Sequence, residues 1–246
     1  MVYGEYELES RELELNDQII RVEKVGEGSF TYRRIYLEEE QKKVLVDSHE
    51  GRIGIYPIPP VFIPQRISDH VELVFDSSIL LGPNESRDVF FFMPIEIGIF
   101  LIEKNSLSLI DSFNFEKVKY ALYGPAENGI ICRYYKTSPS YKKPEADPFK
   151  YAIVSLKANN KTNNWISISR LVLPALDLVF YYSENSVFLG KSTMEIVSDQ
   201  VAKTDCTEKP PLKDLKKALS MRDLEKKKIP GAKMLEKTKF IMEWGY

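Results

Sequence analysis

Residues 22–37 read VEKVGEGSFTYRRIYL, with glycines at 26 and 28, Phe30 and an apolar residue beyond, the outline of a glycine-rich loop over nucleotide phosphates. That chemistry needs a third glycine so the backbone can close, a lysine on the third strand to hold the phosphates, and downstream acids for metal and catalytic base. Thr31 stands at the third glycine, and the following strand reads Val44, Leu45, Val46, Asp47, with a carboxylate where the lysine belongs. A hairpin accounts for the same residues, since Gly-Glu-Gly-Ser between two β-prone runs is a turn whose glycines supply positive φ. No nucleotide and no other cofactor is implied.

The two histidines, His49 near Asp47 and Glu50 and His70 after Asp69, lack the paired helical spacing or cysteine neighbours of a metal centre, so no metal site is expected. No G-x-S-x-G elbow is present for a serine nucleophile. Acids are numerous enough for two of them to meet from any pair of strands, which keeps open the alternative of a carboxylate-dependent hydrolase acting on carbohydrate. Cys132 and Cys206 are too few for a disulfide framework and read as reduced thiols of a cytoplasmic protein.

Binding chemistry is better represented. Residues 117–138, KVKYALYGPAENGIICRYYKTS, place Tyr120, Tyr123, Arg133, Tyr134 and Tyr135 around a turn bracketed by Gly124 and Gly129. Tyrosines and an arginine give large contact area at low entropic cost, the material of a ligand-binding surface. They serve equally as half-buried strand residues with their hydroxyls turned outward. Asp111 joins them as a candidate, because Leu107, Leu109, Asp111, Phe113 and Phe115 alternate on one face of an extended strand. A carboxylate buried on that face needs a partner, and Arg133 is the expected one.

The elements that carry these residues read as strands. Until about residue 200 the apolar runs are short, rich in Val, Ile, Phe and Tyr, and bounded by Gly, Pro, Asn or Ser. The fold class expected is all-β, one or two β-sandwich domains with a short helical C-terminal appendage. The boundaries are residues 1–105, residues 106–202 as a second domain or the second half of one large sandwich, and a basic tail over 203–246. Strands are expected over 95–101, 107–115, 118–123, 130–136, 151–158, 165–173, 178–182 and 186–197, and the proline-rich YPIPPVFIP as an extended connector. In the tail, Leu212, Leu215 and Leu219 at helical spacing predict a basic amphipathic helix, and residues 240–246 either a last strand or a short helical end.

Charge supports that division. The chain of 246 residues has a net charge of −2, but residues 1–202 hold 22 Lys/Arg against 29 Asp/Glu and the tail 12 against 7. A near-neutral total argues against a nucleic-acid partner. No apolar run approaches the length of a membrane span, so no transmembrane segment is expected, although the basic tail suits peripheral contact with a membrane or a membrane protein. Residues 117–138, together with IPPVFIP, ESRDVFFFMPIEIGIF and the opening YGEYEL, resemble the archaeal family known as domain of unknown function 432, over roughly residues 1–200. The resemblance implies an uncharacterised protein and brings no site residues. The leading functional expectation is a non-catalytic binding or interaction protein with an unknown protein partner or small ligand. The alternatives are the hydrolase and a peripheral membrane-associated regulator.

Overall fold

In a computed structural model, which describes residues 2–48, 50–221, 223 and 240–246, the chain is nearly all β. The described strands are β1 (Gly4–Glu7), β2 (Arg11–Leu15), β3 (Gln18–Gly26), β4 (Ser29–Tyr36), β5 (Glu39–Asp47), β6 (Arg52–Ile58), β7 (His70–Leu81), β8 (Ser86–Pro94), β9 (Glu96–Ile102) and β10 (Leu107–Phe113). They continue as β11 (Tyr120–Tyr123), β12 (Ile130–Thr137), β13 (Tyr151–Asn160), β14 (Ile166–Pro174), β15 (Phe180–Tyr182), β16 (Val187–Leu189), β17 (Ser192–Ile196), β18 (Ala202–Cys206), β19 (Lys216–Lys217) and β20 (Phe240–Met242).

These strands form four sheets. Three have four strands each, in the orders β1-β6-β9-β10, β11-β12-β7-β14 and β2-β3-β4-β5. The fourth has eight, running β19-β15-β16-β13-β17-β18-β20 with β8 on the other side of β13. β13 is the centre of that sheet, antiparallel to β8 and parallel to β16 and β17. Its Ala-Ile-Val run is buried on both faces, as a central strand with parallel neighbours requires. Pairing crosses residue 105 repeatedly, since β7 joins β12 and β14 and β8 joins β13. One continuous core draws on all four sheets, including Leu15, Tyr32, Ile55, Leu73, Ile97, Val154, Leu171 and Ile196.

Turns are written locally. Gly26-Glu27-Gly28 closes the β3–β4 hairpin, with Gly28 alone at positive φ (71°) while Gly26 ends the strand. The β4–β5 hairpin turns through Leu37 (φ 48°) and Glu38 (φ 67°), two residues in the left-handed region without a glycine.

In the tail, the last strand left open for residues 240–246 forms, while the rest differs from the sequence expectation. Residues 202–206 are β18, paired with β17, and residues 240–242 are β20, paired with β18. The helix expected through Leu212, Leu215 and Leu219 does not form. Residues 211–220 make turns, with Asp214 at φ 63°, and the short strand β19 against Tyr181 and Tyr182 of β15. Leu212 is exposed, Leu219 packs half-buried against the core, and Ala218, Ser220 and Met221 are buried. A sheet edge offering ladder bonds outweighs the helix propensity of one short segment.

Candidate functional site

β11 and β12 form an antiparallel hairpin in which Tyr120 faces Arg133 and Leu122 faces Ile131. The connection turns at Gly124 (φ 100°) and closes with the Gly129 amide donating to the Pro125 carbonyl at 2.7 Å. Alternation then puts Tyr120, Leu122, Ile131, Arg133 and Tyr135 on one face and Tyr123, Cys132 and Tyr134 on the other.

On the first face Arg133 is fully buried. Its guanidinium donates to Glu96 Oε1 (2.9 Å), the Pro60 carbonyl (2.7 Å) and the Tyr120 hydroxyl (3.2 Å), and lies over the Tyr120 ring at 5.2 Å. Glu96, also fully buried, accepts the amides of Phe62 (2.9 Å) and Ile63 (3.2 Å). One ion pair thus pins the proline-rich connector against β9, β12 and the edge strand β11. Burial pushes the Glu96 carboxyl up to about 7, against the opposing pull of the Phe62 amide, Arg133 and the Ile63 amide. Burial likewise raises the Tyr135 hydroxyl to about 12, partly offset by the nearby Arg133 charge, and that buried hydroxyl has no hydrogen-bond partner among the described residues.

Above this buried pair the surface is apolar. Tyr120 is 37%, Leu122 45% and Ile131 49% exposed, and Ile67 is 49% exposed on a segment whose next residue, Ser68, donates to the Ile131 carbonyl. β11 is the last strand of its sheet, and its outer edge has no backbone hydrogen bond among the described residues. Lys117 and Lys119, both exposed, lead into it.

The opposite face is closed by the end of the chain. The Tyr123 hydroxyl donates to the Gly245 carbonyl (2.9 Å) and accepts the Trp244 amide (3.2 Å), with the Trp244 ring 5.4 Å away. A side chain at Gly124 would place its Cβ 2.4 Å from the Trp244 ring, so both the contact and the positive φ require glycine there. Beneath lie Glu72, raised by burial and paired with Arg170 at 3.1 Å, and Cys132, pushed up to about 12 by burial and by Glu72. Neither cysteine is in a disulfide and both are buried. Tyr134 is half-buried.

Of the six residues singled out in the sequence, Tyr120, Arg133 and Tyr135 come together, Tyr123 and Tyr134 lie behind them, and Asp111 lies elsewhere. Asp111 is buried, as expected, but its partner is not Arg133. It accepts from the Tyr32 hydroxyl and from Arg34 Nε, each at 2.8 Å, joining β10 to β4. A bulge between Leu109 and Asp111 re-aims the strand. Glu96 was missed, although a lone acid in the apolar run MPIEIGIF carries the same signal that singled out Asp111.

No group of three metal-ligating side chains occurs among the described residues. His70 is held below its usual range by burial and packs on Phe240, while His49 lies outside the described residues. Glu50 and Glu103 share an open notch, but the Ser106 and Ser48 hydroxyls hold Glu103 below the ordinary carboxyl range, the reverse of what a proton-donating acid needs. Among the described residues no helix is long and apolar enough to cross a membrane.

The fold and surface define an all-β protein of four sheets with an apolar patch at an open sheet edge. The chain belongs to the family described as a protein of unknown function, DUF432, whose model matches residues 2–243. The match takes in most of the basic tail, consistent with β18 and β20 being strands of the main sheet. No curated protein and no solved structure matches the chain.

Proposed function

We propose that this is a non-catalytic interaction protein, built on sandwich-like packing of its sheets, that takes an extended segment of a partner protein along β11. The observation that carries this reading is the conjunction of a strand edge unpartnered among the described residues with Tyr120, Leu122 and Ile131 exposed beside it. An added strand gains main-chain hydrogen bonds from the edge and sets alternate side chains on the apolar face. The buried Arg133–Glu96 pair holds Tyr120 and the connector in place beforehand, which lowers the ordering cost of binding. Lys117 and Lys119 favour an acidic flank on the incoming segment.

A random-peptide display selection against the whole chain tests this. Enrichment of peptides with apolar residues at alternate positions, abolished by Leu122→Lys and Ile131→Lys in proteins that melt like the parent, is expected. Peptides without that alternation, or retention unaffected by both variants, would refute it.

A further inference from the structure

A second surface lies at the other end of β7. Val71 is aligned with Arg133, whereas Leu80 is aligned with Ser167 of β14, nine residues further and up to roughly 30 Å along the strand. Trp165 stands there just before β14, 74% exposed, more than any other large apolar side chain of the described residues. A Cβ built at Gly82 would sit 3.6 Å from its Cη2 and 3.7 Å from its Cζ2, so the ring lies against a position with no side chain. Leu80, 55% exposed, continues the same face.

The loop that presents this ring is braced. Asn160, almost wholly buried, donates through Nδ2 to the carbonyls of Gly82 and Asn164, both at 2.8 Å, and accepts at Oδ1 from the Thr162 amide (2.9 Å) and hydroxyl (2.8 Å). Two donors and two lone pairs are thereby all used. Asn84 donates its amide to the Thr162 carbonyl and its Nδ2 to Asn163 Oδ1, and Asn164 Nδ2 reaches Asp199 Oδ1 at 3.2 Å. An indole left in water on a loop tied at this many points is held ready before any ligand arrives.

The rim indicates what it would meet. Among the described residues the exposed Ser167 side chain makes no hydrogen bond, Asn163 Nδ2 has no acceptor, and Asp199 accepts from Asn164 alone. Lys161 is the one cation of the three loops 82–85, 160–165 and 197–201, against Asp199 and against Glu85, which Arg87 of β8 already pairs, so the loops carry no surplus of positive charge. That balance disfavours phosphate or an anionic lipid surface. Uncommitted hydroxyl, amide and carboxylate groups beside a bare aromatic ring suit a neutral polyol. The C–H bonds of a pyranose are slightly positive and settle on the negative face of the indole, while its hydroxyls pair with the rim.

We propose that Trp165, with Leu80, Ser167 and Asp199, forms a binding platform for a neutral sugar ring, independent of the β11 edge. The probes are neutral malto-, cello-, manno- and chito-oligosaccharides, titrated into the whole chain while tryptophan emission is followed. Saturable binding with a dissociation constant on the order of 1 mM and a blue shift is expected for at least one series. Trp165→Ala, at an exposed position, should melt like the parent and bind at least about tenfold more weakly, while Trp165→Phe keeps part of the affinity. Leu122→Lys should leave sugar binding unchanged. No saturable response from any series, binding unaffected by Trp165→Ala, or a response confined to vesicles of anionic lipid would each overturn the platform.

Discussion

Replacing Arg133 by methionine tests the reading of the buried pair most directly. Both partners are at 0% exposure, so no solvent screening softens the loss. The variant leaves Glu96 facing the amides of Phe62 and Ile63 without its counter-charge and strips the Pro60 carbonyl and Tyr120 hydroxyl of their donor. Removing one member of a buried pair typically costs about 3–5 kcal/mol, and for a chain of this size each kcal/mol moves the melting temperature by about 2–4 °C. A fall of roughly 6–20 °C is therefore expected. The fall should depend on pH. Because the Glu96 carboxyl is raised to about 7 in the fold against about 4.3 in an unfolded chain, the folded state holds the extra proton between those values. Its contribution to stability is fully present below the lower value and is lost as pH rises through the upper one. Without Arg133 the carboxyl rises further, so the variant should be penalised less at pH 5.5 than at pH 8.5. Thermal melts of parent, Arg133→Met, Glu96→Gln and the double variant across that range supply a double-mutant cycle. A cost below about 1 kcal/mol, or one that does not change with pH, would refute the argument from burial.

Asp111→Asn should destabilise by about 1–3 kcal/mol in denaturant titration, because Arg34 would keep only a neutral acceptor; Arg133→Met should not couple to it. Leu37→Asn with Glu38→Gly, placing residues suited to positive φ in the β4–β5 turn, should stabilise by about 1 kcal/mol in the same measurement, and a loss would show that these residues carry contacts beyond the turn. A chain ending at residue 202 loses β20 and all but the first residue of β18, and with them Tyr123's hydrogen-bond partners, so it should be insoluble or melt far below the parent; a fully β, equally stable fragment by circular dichroism would refute the place given to these strands.

Much of the fold was legible because its signals are local. Glycines and polar residues bounding runs of β-prone residues marked the β3–β4 turn and the strands β9 to β14, and period-two alternation put Asp111 on a buried face. The tail was misread for a physical reason. Leu212, Leu215 and Leu219 have helical spacing, but what decides their state is the open edge of β15, more than thirty residues away. Sheet order is a long-range property, and no pattern within the tail records that β17 lacks a second neighbour until β18 arrives.

The same distinction explains the site. Local pattern tells that a lone carboxylate in an apolar strand must be paired, and both Asp111 and Glu96 are. It does not tell which strand brings the cation, and pairing Asp111 with Arg133 joined two residues that the fold gives to different partners. Nor does composition separate Tyr120 from Tyr123. They stand on one short strand three residues apart, yet register turns the first onto the open face above Arg133 and the second beneath Trp244. The tyrosines and the arginine thus fall on one hairpin, but on both of its faces. The more exposed apolar side chains there are the neighbouring Leu122 and Ile131, and only the finished sheet reveals that exposure.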